Sequence, residues 1–207
     1  MRKETLLKII RLFRKNIGKG MTILEIARTL KIGYRPAYNH IEAMHKEGII
    51  TINEVGRAKQ CFLNLKSEKG RLCLQEADIA AKEELFKKNA KLKGIFESLM
   101  LSLEHHLQAD VRSIILFGSY AKGTPVKSSD IDLIFIIDSI TNKPLRELIE
   151  KQCAGFRYSH NIRVSPVFAD IAEFRKMVAS RELNIGKEAK AYGLPLYGLE
   201  LFWELAA

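Results

Sequence analysis

Nowhere in the 207 residues do the ~18 apolar residues needed for a membrane-spanning helix run together. The opening stretch MRKETLLKIIRLFRKNIGKG is charged throughout, so it has no apolar region of signal-peptide type. A cytoplasmic chain with no membrane partner is the expectation. Cysteine is scarce. The three present (Cys61, Cys73 and Cys153) are odd in number, far apart and without a CxxC pair. That argues against a disulfide framework or a zinc site and suits a reducing compartment. Internal repeats and low-complexity tracts are absent too.

Charge, by contrast, is plentiful and unevenly placed. Residues 1–66 hold 14 Lys+Arg against 5 Asp+Glu, a net of +9, and the remaining residues supply the last +1 of the total of +10. A basic third joined to a neutral remainder implies two modules, the first facing a polyanion such as duplex DNA.

In that basic third, Leu6, Ile9, Ile10, Phe13 and Ile17 recur at helical spacing and predict a first amphipathic helix. Thr22 and Glu25 make an S/T-x-x-E capping box ahead of Ile23, Ile26, Ala27 and Leu30, a short second helix ending near Gly33. A third starts around Pro36, buries Ala37, Ile41 and Met44, and stops at Gly48. The β-rich runs IITINEV and KQCFLNL, joined around GRA, predict a hairpin. This order of three helices and a hairpin resembles the winged helix-turn-helix, with GYRPAYNHIEAMHKEGII in the place of its recognition helix. The resemblance implies a DNA-binding domain over residues 1–66. The spacing of Ala37, Ile41 and Met44 turns Arg35, Tyr38 and Asn39 outward as base-reading candidates, and Arg57 and Lys59 on the wing would meet phosphates.

Residues 67–90 read as a helical linker within a stretch that stays mostly helical to Leu107, with Gly94 as an expected break or kink. His105 and His106 lie near its C-terminal end, where a partly charged imidazole is favoured without any metal. From residue 91 to 207 the pattern alternates: strand VRSIILF, a Gly-Ser turn, strand IDLIFII, a helix near 143–155, strand IRVSPVFA, then helices. The fold class is therefore α/β (α+β), with a short mixed sheet flanked by helices. The closing LELFWELAA is an apolar tail that packs either at home or on a second subunit in a homodimer.

The stretch LFGSYAKGTPVKSSDIDLIFII holds the chemistry. Gly118 and Ser119 follow a strand and open a helix, where backbone N–H groups favour an anion. Asp130 and Asp132 are two apart at the head of the next strand, so their carboxylates share a face. Such a pair suits a hard cation, Mg2+ or Mn2+, which also takes phosphate oxygens. Together GSYAKG and SDIDL resemble the signature of the minimal nucleotidyltransferases of the polymerase β superfamily, over roughly residues 92–198. The resemblance implies that Gly118 and Ser119 hold the triphosphate of an NTP and that Asp130 and Asp132 are catalytic and bind the metal. It also implies that Lys122 lies near the phosphates and that Ser129 steadies the acid-bearing strand.

The chain departs from that family at a third acid, expected on the next strand, where Ser165 stands instead. Asp138 lies six strand residues from Asp132, ~20 Å away, and Asp170 with Glu173 reads as a helix N-cap. Three functions fit. One is a DNA-tethered nucleotidyltransferase that moves a nucleoside monophosphate from NTP–Mg2+ to an acceptor hydroxyl, releasing pyrophosphate. Another is a transcription regulator whose degenerate transferase domain senses a nucleotide. The third, from the family, is an antitoxin that modifies a partner toxin.

Overall fold

The computed structural model describes residues 3–55 and 58–206 and divides the chain into two units, Met1–Asp78 and Ile79–Ala206. The division falls between Asp78 and Ile79, inside the stretch 67–90 read as a linker.

In the first unit, helix α1 (Lys3–Lys15) buries Ile9, Ile10 and Phe13. Strand β1 (Met21–Thr22) leads into α2 (Ile23–Leu30), and the capping box is fully formed there. The Glu25 N–H donates to Thr22 Oγ1 at 3.2 Å, and Thr22 N–H donates to Glu25 Oε2 at 2.7 Å. These bonds to its charged form hold the Glu25 carboxyl below its ordinary range. Helix α3 (Tyr34–Lys46) buries Ala37, Ile41 and Met44, the stripe its periodicity predicts. Strands β2 (Ile50–Val55) and β3 (Ala58–Leu63) form the hairpin, and β1 pairs with the other edge of β3. The two-residue β1 is too short to announce itself as a sequence pattern. Helix α4 (Glu68–Lys88) brings Asp78 onto Arg14, with the Arg14 Nε donating to Asp78 Oδ1 at 3.0 Å. Asp78 is buried, so this ion pair ties α1 to the middle of α4 with little screening.

Gly94 does not end a helix. The break comes at Asn89, which has left helical geometry at φ −134° and ψ 76°, and α5 (Ala90–Ser102) runs through Gly94. A polar residue with access to its own backbone region interrupts the helix more readily than a glycine packed inside it.

The second unit is built on a mixed sheet in the order β6-β5-β4-β7, with β4 (Val111–Phe117), β5 (Ile131–Ile137), β6 (Val164–Asp170) and β7 (Leu194–Tyr197). Strand β5 runs antiparallel to β4 and parallel to β6, and the crossover between β5 and β6 is α7 (Lys143–His160). The central strands carry continuous apolar stretches, Ile114 to Phe117 in β4 and Leu133 to Ile137 in β5, because both their faces are covered there, and these residues are all buried. Each outer strand carries a proline, Pro166 in β6 and Pro195 in β7.

Helices α5 and α7 cover the sheet with Leu92, Ile95, Leu99, Leu145, Ile149 and Cys153. Burial pushes the Cys153 thiol up to about 12, so it behaves as a small apolar side chain. The other helices are α6 (Gly118–Lys122), α8 (Ile171–Ala179), α9 (Ile185–Tyr192) and α10 (Leu199–Ala206). The apolar tail packs at home: Phe202 and Trp203 of α10 are fully buried, and Phe202 meets Phe174 of α8 with ring centroids 6.1 Å apart. No described helix is long and apolar enough to cross a membrane.

Candidate functional site

Strand register brings the two halves of the motif together. Phe117, the last residue of β4, pairs with Asp132 near the start of β5, so the Gly-Ser turn emerges beside that carboxylate. Gly118 adopts φ +68°, and a Cβ built on it would run into Asp132 Oδ2. Only a glycine allows this left-handed turn with the carboxylate packed against it. Strand β5 begins at Ile131, which places Asp130 just before the strand rather than in it. The two acids still interact. Burial raises the Asp132 pKa most, followed by the charges of Asp130 and Glu188, and Arg163 works against them. A half-desolvated acid pair in mutual repulsion is a donor set that fits a hard divalent cation. Among the described residues, no group of three His, Cys, Asp or Glu converges tightly enough to hold a metal alone.

The remaining candidates take clear positions. Ser129 closes the turn before Asp130: its Oγ accepts from Val126 N–H and its own N–H donates to Val126 O, both at 2.9 Å. Lys122 is exposed, with Nζ 2.6 Å from Glu188 Oε1 of α9 and 5.4 Å from the Tyr192 ring centroid. Arg163 Nε lies 3.6 Å from Asp130 Oδ2. Arg163 also lines a groove of about 310 Å3 between α7 and β6, with Arg157, Tyr158 and Pro166. Glu188, Tyr192 and Arg163 were not legible in sequence. Each sits in an ordinary polar stretch far along the chain, and only the docking of α9 and β6 brings it to the motif.

The third-acid position resolves in the same terms. In the parallel register of β5 and β6, Asp132 pairs with Ser165, so a neutral hydroxyl stands beside the carboxylate. Asp170 pairs with Ile137, five residues further along and ~17 Å away. It caps α8 instead, accepting from Glu173 N–H at 2.8 Å. Asp138 is exposed beyond the end of β5. His106 Nδ1 lies 2.7 Å from Asp110 Oδ2, a local contact ahead of β4.

In the first unit, Arg35 and Asn39 are exposed on α3 and Tyr38 is partly exposed, while Ala37, Ile41 and Met44 face inward. Lys59 of β3 places its Nζ 6.0 Å from the Tyr38 ring centroid. Tyr34, which sequence reasoning did not single out, stacks near Tyr38 with ring centroids 6.4 Å apart. Arg57 lies outside the described residues.

Residues 98–190, all in the second unit, match the family model described as the nucleotidyltransferase domain. A Methanocaldococcus jannaschii protein, provisionally named a protein adenylyltransferase, is 33% identical over 85 residues. That alignment covers 38% of this chain and 55% of the relative, so the chain spans about half the relative's length. No solved structure matches the chain.

Proposed function

We propose that the chain is a DNA-tethered nucleotidyltransferase that moves an adenylyl group from ATP to a hydroxyl of an acceptor protein. The observation that carries this reading is the apposition of Gly118 to Asp132, which sets a turn open to phosphate beside an acid pair. The nucleotidyltransferase domain match supports the reaction type, and the relative's name suggests the adenylyl group and the protein acceptor.

Asp130 and Asp132 would hold Mg2+ or Mn2+, whose charge offsets that of the triphosphate. Gly118 and Ser119 would lie against the phosphates, with their N–H groups as donors. Lys122, exposed at the end of the helix that the turn opens, would reach the same ligand. Ser129 would keep the turn before Asp130 closed and so fix where that carboxylate starts. In-line transfer forms a bond from the acceptor oxygen to the α-phosphorus and releases pyrophosphate with the electron pair of the broken bond.

The test is incubation of the purified chain with ATP labelled on its α-phosphate, Mg2+ and extract proteins. Protein-bound label that Asp170→Asn leaves unchanged is the expected result, because Asn caps a helix about as well as Asp. Label lost in Asp170→Asn would mean that the cap is part of the chemistry. A second reading, a nucleotide-sensing regulator, is favoured by Ser165 beside Asp132. It requires ATP–Mg2+ binding with no pyrophosphate released in the same assay.

The first unit would bind duplex DNA as a winged helix-turn-helix, through exposed α3 residues and Lys59 in a region of net charge +9 over residues 1–66. Binding by the full chain should fall steeply with salt, since phosphate contacts release counterions. Arg35→Ala and Asn39→Ala should each cost ~1–3 kcal/mol on the preferred sequence and relax the preference, whereas Lys59→Ala should weaken all sequences alike. If residues 67–207 alone bind duplex as tightly as the whole chain, the assignment fails.

A further inference from the structure

Helix α9 contributes two residues to the rim of the site, one turn apart, that the reading above does not use. Glu188 Oε1 takes the Lys122 ammonium at 2.6 Å, and Tyr192 offers the same ammonium its ring face at 5.4 Å. The lysine that would meet phosphates is therefore engaged by α9. The pair is loosely held, because the Lys122 and Glu188 side chains are 40% and 34% exposed and water screens an exposed ion pair. A triphosphate, with several charges and charge-assisted hydrogen bonds, is a stronger partner for Lys122 than one solvated carboxylate. Through Lys122, the last residue of the helix that Gly118 opens, Glu188 is tied to the motif itself, and its charge adds to those that raise the Asp132 pKa, after burial and Asp130. The strand that would supply a third acid supplies Ser165 instead.

We propose that Glu188 is the proton-accepting carboxylate of this site, released toward the acceptor hydroxyl when Lys122 leaves it for the triphosphate. The proposal rests on the nucleotidyl-transfer reading. In the step, the proton of the acceptor O–H passes to the Glu188 carboxylate and the acceptor oxygen bonds to the α-phosphorus. The bond from that phosphorus to the bridging oxygen of the β-phosphate breaks, and pyrophosphate departs with its electron pair. Protonated Glu188 then returns its proton to solvent and recaptures Lys122. An α9 carboxylate thus does what Ser165 cannot, because a neutral hydroxyl takes up no proton at neutral pH.

The test separates binding from transfer on the full chain. Binding is measured with an ATP analogue whose α–β bridge cannot be cleaved, plus Mg2+. Transfer is measured as AMP formed from labelled ATP with water as the acceptor. Glu188→Gln should keep the analogue affinity, or tighten it up to ~5-fold as Lys122 is freed, while AMP formation falls at least ~100-fold. Glu188→Asp should recover part of that loss. Adding Ser165→Asp to Glu188→Gln should restore transfer by at least ~10-fold, since it returns a carboxylate beside Asp132. Lys122→Met should weaken analogue binding, and in that background Glu188→Gln should no longer tighten it.

Wild-type AMP formation in Glu188→Gln overturns the proposal. So does an equal loss of binding and transfer in that variant, which would mark a structural role, or a wild type that binds the analogue yet makes no AMP. If Asp130→Asn and Asp132→Asn bind the analogue as wild type does, the nucleotidyl-transfer reading itself fails. If they lose it while Glu188→Gln turns over normally, only the role of Glu188 is lost.

Discussion

Asp132→Asn should bind ATP–Mg2+ about 100-fold more weakly than wild type, the ~3 kcal/mol expected when one partner of a desolvated charge contact is removed. Asp130→Asn should act in the same direction. The same Asp132 change should leave the free protein no less stable and slightly raise its Tm at neutral pH. Burial and the neighbouring acid raise the Asp132 pKa in the fold, so the fold prefers the protonated carboxyl. That preference contributes stability below the ordinary carboxylate range and is lost as pH rises through the raised value. At neutral pH ionised Asp132 is therefore a cost that Asn does not carry. Loss of ligand binding with a small gain in stability is the pattern of a residue kept for function. Calorimetric titration and thermal melts of the two variants measure both halves, and unchanged nucleotide affinity in both would remove the metal-site reading.

Gly118→Ala carries the second large effect. A Cβ at φ +68° costs ~1–2 kcal/mol from the left-handed backbone alone, equivalent to about 2–8 °C in Tm for a chain of this size. It would also land on the Asp132 carboxylate, which must then leave its place beside the turn. Both stability and nucleotide binding should drop. Gly123 separates the two causes: it has φ +74°, but nothing lies within 4 Å of a built Cβ. Gly123→Ala should therefore lower Tm by a similar amount and leave ATP–Mg2+ binding intact. Equal loss of binding in both variants would trace the effect to backbone strain alone.

What could be read from the residues depended on how local the cause was. The α2 capping box is visible because Thr22 and Glu25 lie three apart and satisfy each other. The central strands are visible because burial on both faces demands continuous apolar stretches such as the LIFII of β5. Ser165 could be named because the family resemblance expects an acid on the strand after IDLIFII, and the parallel register then pairs it with Asp132. Of the break or kink expected at Gly94, the break falls at Asn89 instead, since the low intrinsic propensity of glycine is outweighed by its seat within α5. Lys122 was visible as part of the motif, but its partners were not. Nothing in NIGKEAKAYG distinguishes Glu188 or Tyr192 from solvated helix residues until α9 docks beside α6.

Both margins of the second unit's sheet end in strands that contain a proline, Pro166 on one side and Pro195 on the other. An open strand margin is a template on which a foreign chain, or another copy, can add its own backbone. Proline breaks the row of amide protons such a template requires. A sheet as rich in buried isoleucine as this one would otherwise be a hazard whenever its margins are uncovered. The two prolines make cross-strand stacking into fibrils unfavourable from either side.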